Sequence, residues 1–343
     1  MRRLVLSRWT VQIFATSGLI LLALLRVNLQ EVGAALERAN YVWAGAAVLV
    51  LTLSKLVAAA RWQLYLTNVG KAPLLGLMGA YVIGTFLNTV LPFRAGDFAK
   101  IQIVATRYGL PRAGLTSSVF VVEGVLDVVT LLGLLLVGLA FLGISFVPAL
   151  LLWPLVFLAG GAFAAALLAS HLFPHEMPDW RLAPVIPQRL QQGLRDAWPG
   201  FLDGMSVLSR SRLLTKAFSL HLTEWLLRAL VMWLVGISFD LDASPSTYVV
   251  LTVGLSVFTL FPVTFMNIGT YQVVVTEIMG AAGVPRSEAF AYAVAAQALT
   301  HFWIASMGLL ALWTMRIWPR EAVATFRQRD GSPPKTGPTG LSR

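Results

Sequence analysis

Apolar residues run along this chain in long blocks separated by short polar stretches. Six blocks are near or above the roughly 20 residues that cross a bilayer core: 11–25, 41–60, 115–137, 148–169, 217–237 and 289–315. Two more apolar regions have a different form. Residues 76–91 are followed by the break Pro92-Phe-Arg-Ala-Gly96 and then by 97–106; residues 248–261 are followed by 262–269 and then by 270–282. Each is a short helical run, a Pro/Gly break and a second short run. At 1.5 Å per residue such runs reach about 16 to 24 Å, short of the roughly 30 Å hydrocarbon core. They predict half-helices in re-entrant hairpins.

The two broken regions resemble each other. Gly109-Leu-Pro-Arg-Ala113 recurs as Gly283-Val-Pro-Arg-Ser287, and at the same offset Glu123 meets Gln297 and Asp127 meets His301. This is where an internal transporter repeat would show. Basic residues test the topology. With two hairpins, six full spans and a cytoplasmic N-terminus, 19 Lys/Arg fall inside and 3 outside. Eight full crossings would give 11 against 13. The positive-inside rule selects the first arrangement, with both termini cytoplasmic and the hairpins entering from opposite faces. The expected fold is therefore an all-α polytopic membrane protein built as an inverted repeat of eight apolar regions.

Composition supports this reading. Of 343 residues, 57% are hydrophobic and 12% charged, where soluble domains carry about 25% charge. The net charge of +10 sits in loops, not on a folded basic face, so a nucleic-acid partner is not expected. Cysteine is absent, which removes disulfides, thiolate metal sites and cysteine nucleophiles. Arg2, Arg3 and Arg8 before residues 11–25 also suit a signal peptide, but no small-residue cleavage site follows cleanly and an uncleaved span is expected. Residues 1–315 form the integral domain. Within it Leu190, Leu194, Trp198, Phe201 and Met205 make 180–210 an amphipathic interfacial segment with a break expected near Pro199. Residues 316–343 read as a disordered basic cytoplasmic tail.

Charges at membrane depth need a reason, because each costs about 2.5–3.5 kcal/mol to insert. Arg94, Asp97 and Lys100 lie at the first break, where the N-terminus of the second half-helix would favour an anion. The alternative is an Arg94–Asp97 or Arg94–Glu123 pair that closes the fold. Glu123 and Asp127 share a helix face and must be paired or protonated; Lys100 and Arg94 are the nearest cations by sequence. His221, Glu224 and Arg228 line one face of a span, with Glu224 and Arg228 spaced to pair within the helix. His301 is expected to face the same lumen. In the second break Asn267, Thr270 and Gln272 are the polar candidates. Lys55 is expected to snorkel to the cytoplasmic surface. No hydrolase elbow, zinc motif, phosphate loop or dinucleotide fingerprint occurs, so no catalytic residue, metal or cofactor is expected.

Pro92-x-Arg-x-Gly-Asp-x-x-Lys100, the following Gly-Leu-Pro, and Ser117-Ser-Val with Glu123 and Asp127 resemble the lysylphosphatidylglycerol synthase transmembrane region family. Phe261-Pro-Val-Thr, Ile268-Gly-Thr and Glu277 look like a worn copy of its Pro-x-x-Pro-Gly-Gly-x-Gly element. Asp97 and Lys100 stand where the family has Glu and Arg, Gly124 where it usually has Arg, and Phe265-Met266-Asn267 where it has most of the Pro-Gly-Gly. The resemblance implies a bacterial inner-membrane flippase that moves an amphipathic lipid, with a phospholipid, glycolipid or hopanoid as partner. The buried charges read above put the expected headgroup contacts at Arg94, Asp97, Lys100, Glu123 and Asp127. Lipid-modifying enzymes are possible partners. Aminoacyl transfer is not expected, since the full synthase carries that activity in a separate soluble domain. The alternatives are a non-transporting scaffold and an integral glycosyl or lipid transferase.

Overall fold

The structure, a computed structural model, describes residues 28–91, 94–142, 149–172, 188–259 and 265–317. The expected first span, the centres of both breaks, residues 180–187 and nearly all of the tail lie outside the described residues. Among the described residues every regular element is helical.

Helix α1 (Leu29–Arg38) is short and amphipathic. Asn28 caps it by accepting the Gln30 N–H at 3.0 Å, and Val32 and Ala35 pack on Phe290 and Ala291. Helix α2 (Tyr41–Tyr65) starts at a second Asn cap, Asn40 to Val42 N at 3.1 Å. Helices α3 (Leu74–Val90) and α4 (Ala95–Tyr108) form the first hairpin. Arg112–Ser117 (α5), a π-helical turn at Ser118–Glu123 and α6 (Gly124–Leu142) make one long rod, followed by α7 (Ala149–Leu172) and α8 (Gln188–Met205). Then come α9 (Ser211–Ser238), the second hairpin of α10 (Pro245–Thr259) and α11 (Thr270–Ala281), and α12 (Arg286–Thr314). Tyr41–Tyr65, Arg112–Val137, Ser211–Ser238 and Arg286–Thr314 are long and apolar enough to cross a membrane; Leu74–Val90 and Pro245–Phe258 are apolar but shorter.

Helices α2 and α9 form the central pair, and they are antiparallel. At one end Asn40 N donates to Ser238 O at 2.7 Å and Ser238 Oγ to Asn40 O at 3.0 Å. Toward the other end Arg61 meets His221 and Glu224. Because α3 follows the end of α2 and α10 follows the end of α9, the two hairpins enter from opposite ends of this pair. At the first hairpin's open end Arg107 Nη1 donates to Met315 O at 3.0 Å, which brings in the end of α12. At the opposite end Asn28 N donates to Ser287 Oγ at 3.2 Å, at the start of α12. The hairpins also trade neighbours: α3 packs on α12, and α10 packs on α6.

Each hairpin is closed by small residues. Gly96 lies so close to the Gly84 carbonyl that a β-carbon there has no room, and Gly254 packs directly on Ile278. The expected break at Pro199 does not occur, since α8 runs through it. Gly114, Gly200 and Gly204 let α8 lie directly on α5, and Leu202 and Met205 are buried behind it. That packing holds the turn that proline's missing N–H would otherwise weaken.

Candidate functional site

A network of buried charge sits between the first hairpin and the α2/α9 pair. Its centre is Arg61 of α2, 1% exposed. Arg61 Nη2 reaches Glu123 Oε1 at 2.7 Å, and Nη1 reaches Glu224 Oε2 at 2.8 Å and also contacts His221 Nδ1. Tyr81 of α3 donates to Glu123 Oε1 at 2.9 Å. Lys100 of α4 bridges Glu123 Oε2 at 3.5 Å and Asp97 Oδ1 at 3.1 Å, with its ammonium 4.6 Å from the Tyr81 ring centre. His221 Nε2 lies 3.1 Å from Asp127 Oδ1, and Trp225 Nε1 lies within hydrogen-bond distance of both. The π turn carries Glu123 to the meeting point of Arg61 of α2, Tyr81 of α3 and Lys100 of α4; such wide turns recur at functional sites.

The local sequence explains the hairpin tip. Pro92 cannot continue a helix, and Arg94 takes the left-handed conformation at φ 53°. Asn88 Oδ1 accepts the Gly96 N–H at 2.7 Å, which satisfies a free donor at the start of α4. Arg94 Nε then pairs with Asp97 Oδ2 at 3.0 Å.

Several expectations change here. Arg94 does not pair with Glu123, and its side chain is 64% exposed. Glu123 takes Arg61 and Lys100 instead, because the bundle brings α2 across the π turn. Glu224 pairs with Arg61 across the helix pair, while Arg228 stacks on Trp225 with its guanidinium 4.5 Å from the ring centre. Lys55 does not snorkel. It is 8% exposed, with its ammonium 5.7 Å from the Tyr81 ring centre. Arg61, counted among the cytoplasmic loop charges, is core, which leaves 18 basic residues against 3 in the topology tally.

Arg61, Tyr81, Asn88 and Trp225 escaped sequence reasoning. A signal for Arg61 did exist: Ser54, Ala58, Arg61 and Tyr65 recur at spacings of four, three and four, and this stripe is wholly buried.

The second hairpin holds a separate, uncharged cluster. Gln272 Oε1 accepts Gly269 N–H at 2.7 Å, Gln272 Nε2 donates to Gln297 Oε1 at 2.6 Å, and Gln297 Nε2 donates to Met266 O at 3.3 Å. His301 Nδ1 lies 2.8 Å from Gln297 O. Met266, Ile268, Phe290, Val294 and His301 line a cavity of about 380 Å³ beside this amide pair. Asn267 holds the left-handed turn at φ 58°, and Thr270 opens α11. His301 thus does not share a site with Asp127: among the described residues no hydrogen bond or ion pair joins the two clusters. Among the same residues no group of three or more His, Cys, Asp or Glu is arranged to hold a metal ion.

A search of curated proteins finds no match to the chain. The family model for the lysylphosphatidylglycerol synthase TM region matches residues 8–318, which takes in both hairpins, the central pair and the whole charged network. The chain is therefore a member of the lysylphosphatidylglycerol synthase TM region family, a multi-pass membrane protein of lipid-related function.

Proposed function

We propose that this protein moves an amphipathic lipid with an anionic headgroup between the two leaflets, along the space between its hairpins. The observation that carries this reading is the buried charge of Arg61, Lys100, Glu123, Asp97 and Glu224. It ties a hairpin that is too short to cross the membrane to the full-length pair α2/α9. Ionisable groups at membrane depth are costly and concentrate along substrate paths.

The element order supports the same reading. Long, short, short, long occurs twice, as α2, α3, α4, α5–α6 and as α9, α10, α11, α12. Antiparallel α2 and α9, and hairpins from opposite ends, suit an inverted repeat of the kind transporters use for alternating access. In this reading six spans cross fully, both termini are cytoplasmic in the inner membrane, and the chain does no covalent chemistry. Asp97 and Glu123 hold Lys100 in place, and Arg94 at the exposed tip meets the headgroup first.

The direct test uses phosphatidylcholine vesicles with fluorescent phosphatidylglycerol and the purified chain. An impermeant reductant bleaches outer-leaflet dye. With the wild type the protected inner pool drains; with Lys100→Gln it persists as in empty vesicles. A wild type that leaves the inner pool untouched overturns lipid movement and favours a scaffold, a reading that the pairing of Asp97, Glu123 and Glu224 with cations would also suit. Orientation is read by labelling Asp242→Cys and Trp180→Cys in intact cells with an impermeant maleimide. Position 242 reacts and 180 does not; the reverse pattern overturns the topology.

A further inference from the structure

The network leaves two cations out. Lys55 of α2 and Arg228 of α9 make no hydrogen bond and no ion pair among the described residues. Each lies over an aromatic ring, Tyr81 for Lys55 and Trp225 for Arg228, and Lys55 also feels the charge of Glu224 from beyond ion-pair distance. A ring face offsets part of the cost of a desolvated cation, but not the charge itself. The carboxylates nearby lie against other groups, though Glu224 Oε2 has no hydrogen-bond partner among the described residues. Glu224, one turn from Arg228, is held by Arg61, Glu123 by Arg61 and Lys100, and Asp127 lies against His221.

Their placement is symmetric. Lys55 lies ten residues before Tyr65, the last residue of α2, and Arg228 lies ten residues before Ser238, the last residue of α9. The helices are antiparallel, so those ends face opposite surfaces. Ten residues rise about 15 Å, half of the roughly 30 Å hydrocarbon core. Counted from the end where Asn40 meets Ser238, Arg228 lies ten residues in and Lys55 fifteen, so the two sit about 7.5 Å apart along the axis, on either side of the middle of the pair, on the two helices that correspond under the duplicated element order. Transporters of inverted-repeat design bind substrate at the midplane, on the repeat interface. Arg228 is half-buried, so the pair is not sealed off.

We infer that Lys55 and Arg228 form a midplane seat for a phosphate-class anion, with the ligand as the counter-charge that neither has at ion-pair distance. This deepens the lipid-movement reading and rests on it for the source of the anion. Arg94 is then the entry contact, and the two-cation seat is the halfway position. An ammonium is a point donor and a guanidinium a planar fork, and together they hold a tetrahedral phosphate from two sides.

The test is a thermal-unfolding titration of the full chain in detergent with three probes: short-chain phosphatidylglycerol, short-chain phosphatidylcholine and inorganic phosphate. Phosphatidylglycerol raises the wild-type unfolding temperature and phosphatidylcholine does not. Lys55→Met and Arg228→Met each weaken the phosphatidylglycerol response about tenfold or more, as expected for a lost charge-assisted hydrogen bond. The double variant answers phosphatidylglycerol no better than phosphatidylcholine. Inorganic phosphate acting as strongly as the lipid assigns the seat to a free anion; a much weaker effect assigns it to the headgroup. Without ligand, both variants unfold no more easily than wild type, because a solitary cation has been removed. A drop in unliganded stability in both, or failure to fold, makes the pair structural and overturns the seat. So does undiminished phosphatidylglycerol binding by the double variant. In vesicles, a double variant that moves labelled lipid as well as wild type removes the seat and leaves lipid movement standing. A wild type that moves none removes lipid movement and leaves the titration to decide the seat.

Discussion

The two hairpins solve one structural problem with different chemistry. In each, a side-chain amide oxygen caps a backbone N–H at the start of the second helix, Asn88 to Gly96 N and Gln272 to Gly269 N, both at 2.7 Å. In each, a non-glycine residue near the tip is left-handed, Arg94 in one and Met266 with Asn267 in the other. In each, the second helix is tethered to the long span that follows. The first tether is ionic, Lys100 to Glu123 at 3.5 Å, and the second is a neutral Gln272–Gln297 pair at 2.6 Å. The second hairpin shows that the fold needs a polar tether there but not a charged one. Charge in the first hairpin is an addition to that shared plan, in keeping with the headgroup contact proposed above.

The largest effect that would test this contrast is at Arg61. Arg61→Met strands Glu224 and leaves Glu123 with Lys100 and Tyr81 alone, and breaking a buried pair costs about 3–5 kcal/mol, a large share of the stability of a typical domain. Thermal unfolding in detergent should fall sharply, and adding Glu123→Gln with Glu224→Gln should recover part of it. An Arg61→Met protein as stable as wild type would erase the distinction between the hairpins.

Glu123→Gln should come next, since it leaves Lys100 with only Asp97. Residues in one ionic network couple by about 0.5–3 kcal/mol. In a double-mutant cycle on unfolding, Lys100→Met should therefore offset Glu123→Gln. Arg94→Ala, with no contact to Glu123, should simply add to it. Coupling to Arg94 and none to Lys100 would contradict the geometry.

In the second hairpin, Gln272→Leu should cost about 1–3 kcal/mol by leaving its partners unsatisfied. It should leave the drainage of labelled phosphatidylglycerol in the vesicle assay unchanged. Loss of that drainage in a folded Gln272→Leu protein would make the neutral half part of the lipid path.

Arg94→Gly should have the smallest effect on stability, within about 1 kcal/mol. It removes an ion pair exposed on the Arg94 side, leaving buried Asp97 to Lys100, but relieves a left-handed non-glycine residue. Its consequence should appear in lipid movement, lost with glycine and kept with Arg94→Lys. Full movement by Arg94→Gly would remove the tip from the path.

Most of the fold was legible because its determinants are local. Pro92 and Gly96 interrupt a run too short to span, as do Pro262 and Gly269, so the breaks announce both hairpins. The long blocks announce α2, α9 and α12 through length alone. The site was legible only in part. Asp97, Lys100 and Glu123 stand out as charges inside apolar runs, and the structure joins them. Their partner Arg61 lies at the end of such a run, where a buried arginine and a membrane-flanking one look alike. Which of them it is depends on the α2/α9 register, a non-local quantity. The same register takes Glu224 away from Arg228 and leaves Lys55 buried. Pro199 misled for a similar reason: its propensity to break a helix is local, and the Gly114–Gly204 packing that overrides it is not.

The contact between Gly84 and Gly96 has a mechanical consequence. With no clearance between α3 and α4 near the tip, the two arms cannot splay, and the first hairpin behaves as a stiff oar. Its loom end is where Arg107 holds Met315, and its blade is Arg94. The 14 residues of α4 set a lever of about 21 Å, so a tilt of about 10° at the loom sweeps the blade by about 4 Å. A bulkier residue at position 96 would force the arms apart and turn the oar into a pair of loose reeds, decoupling the surface from the membrane interior.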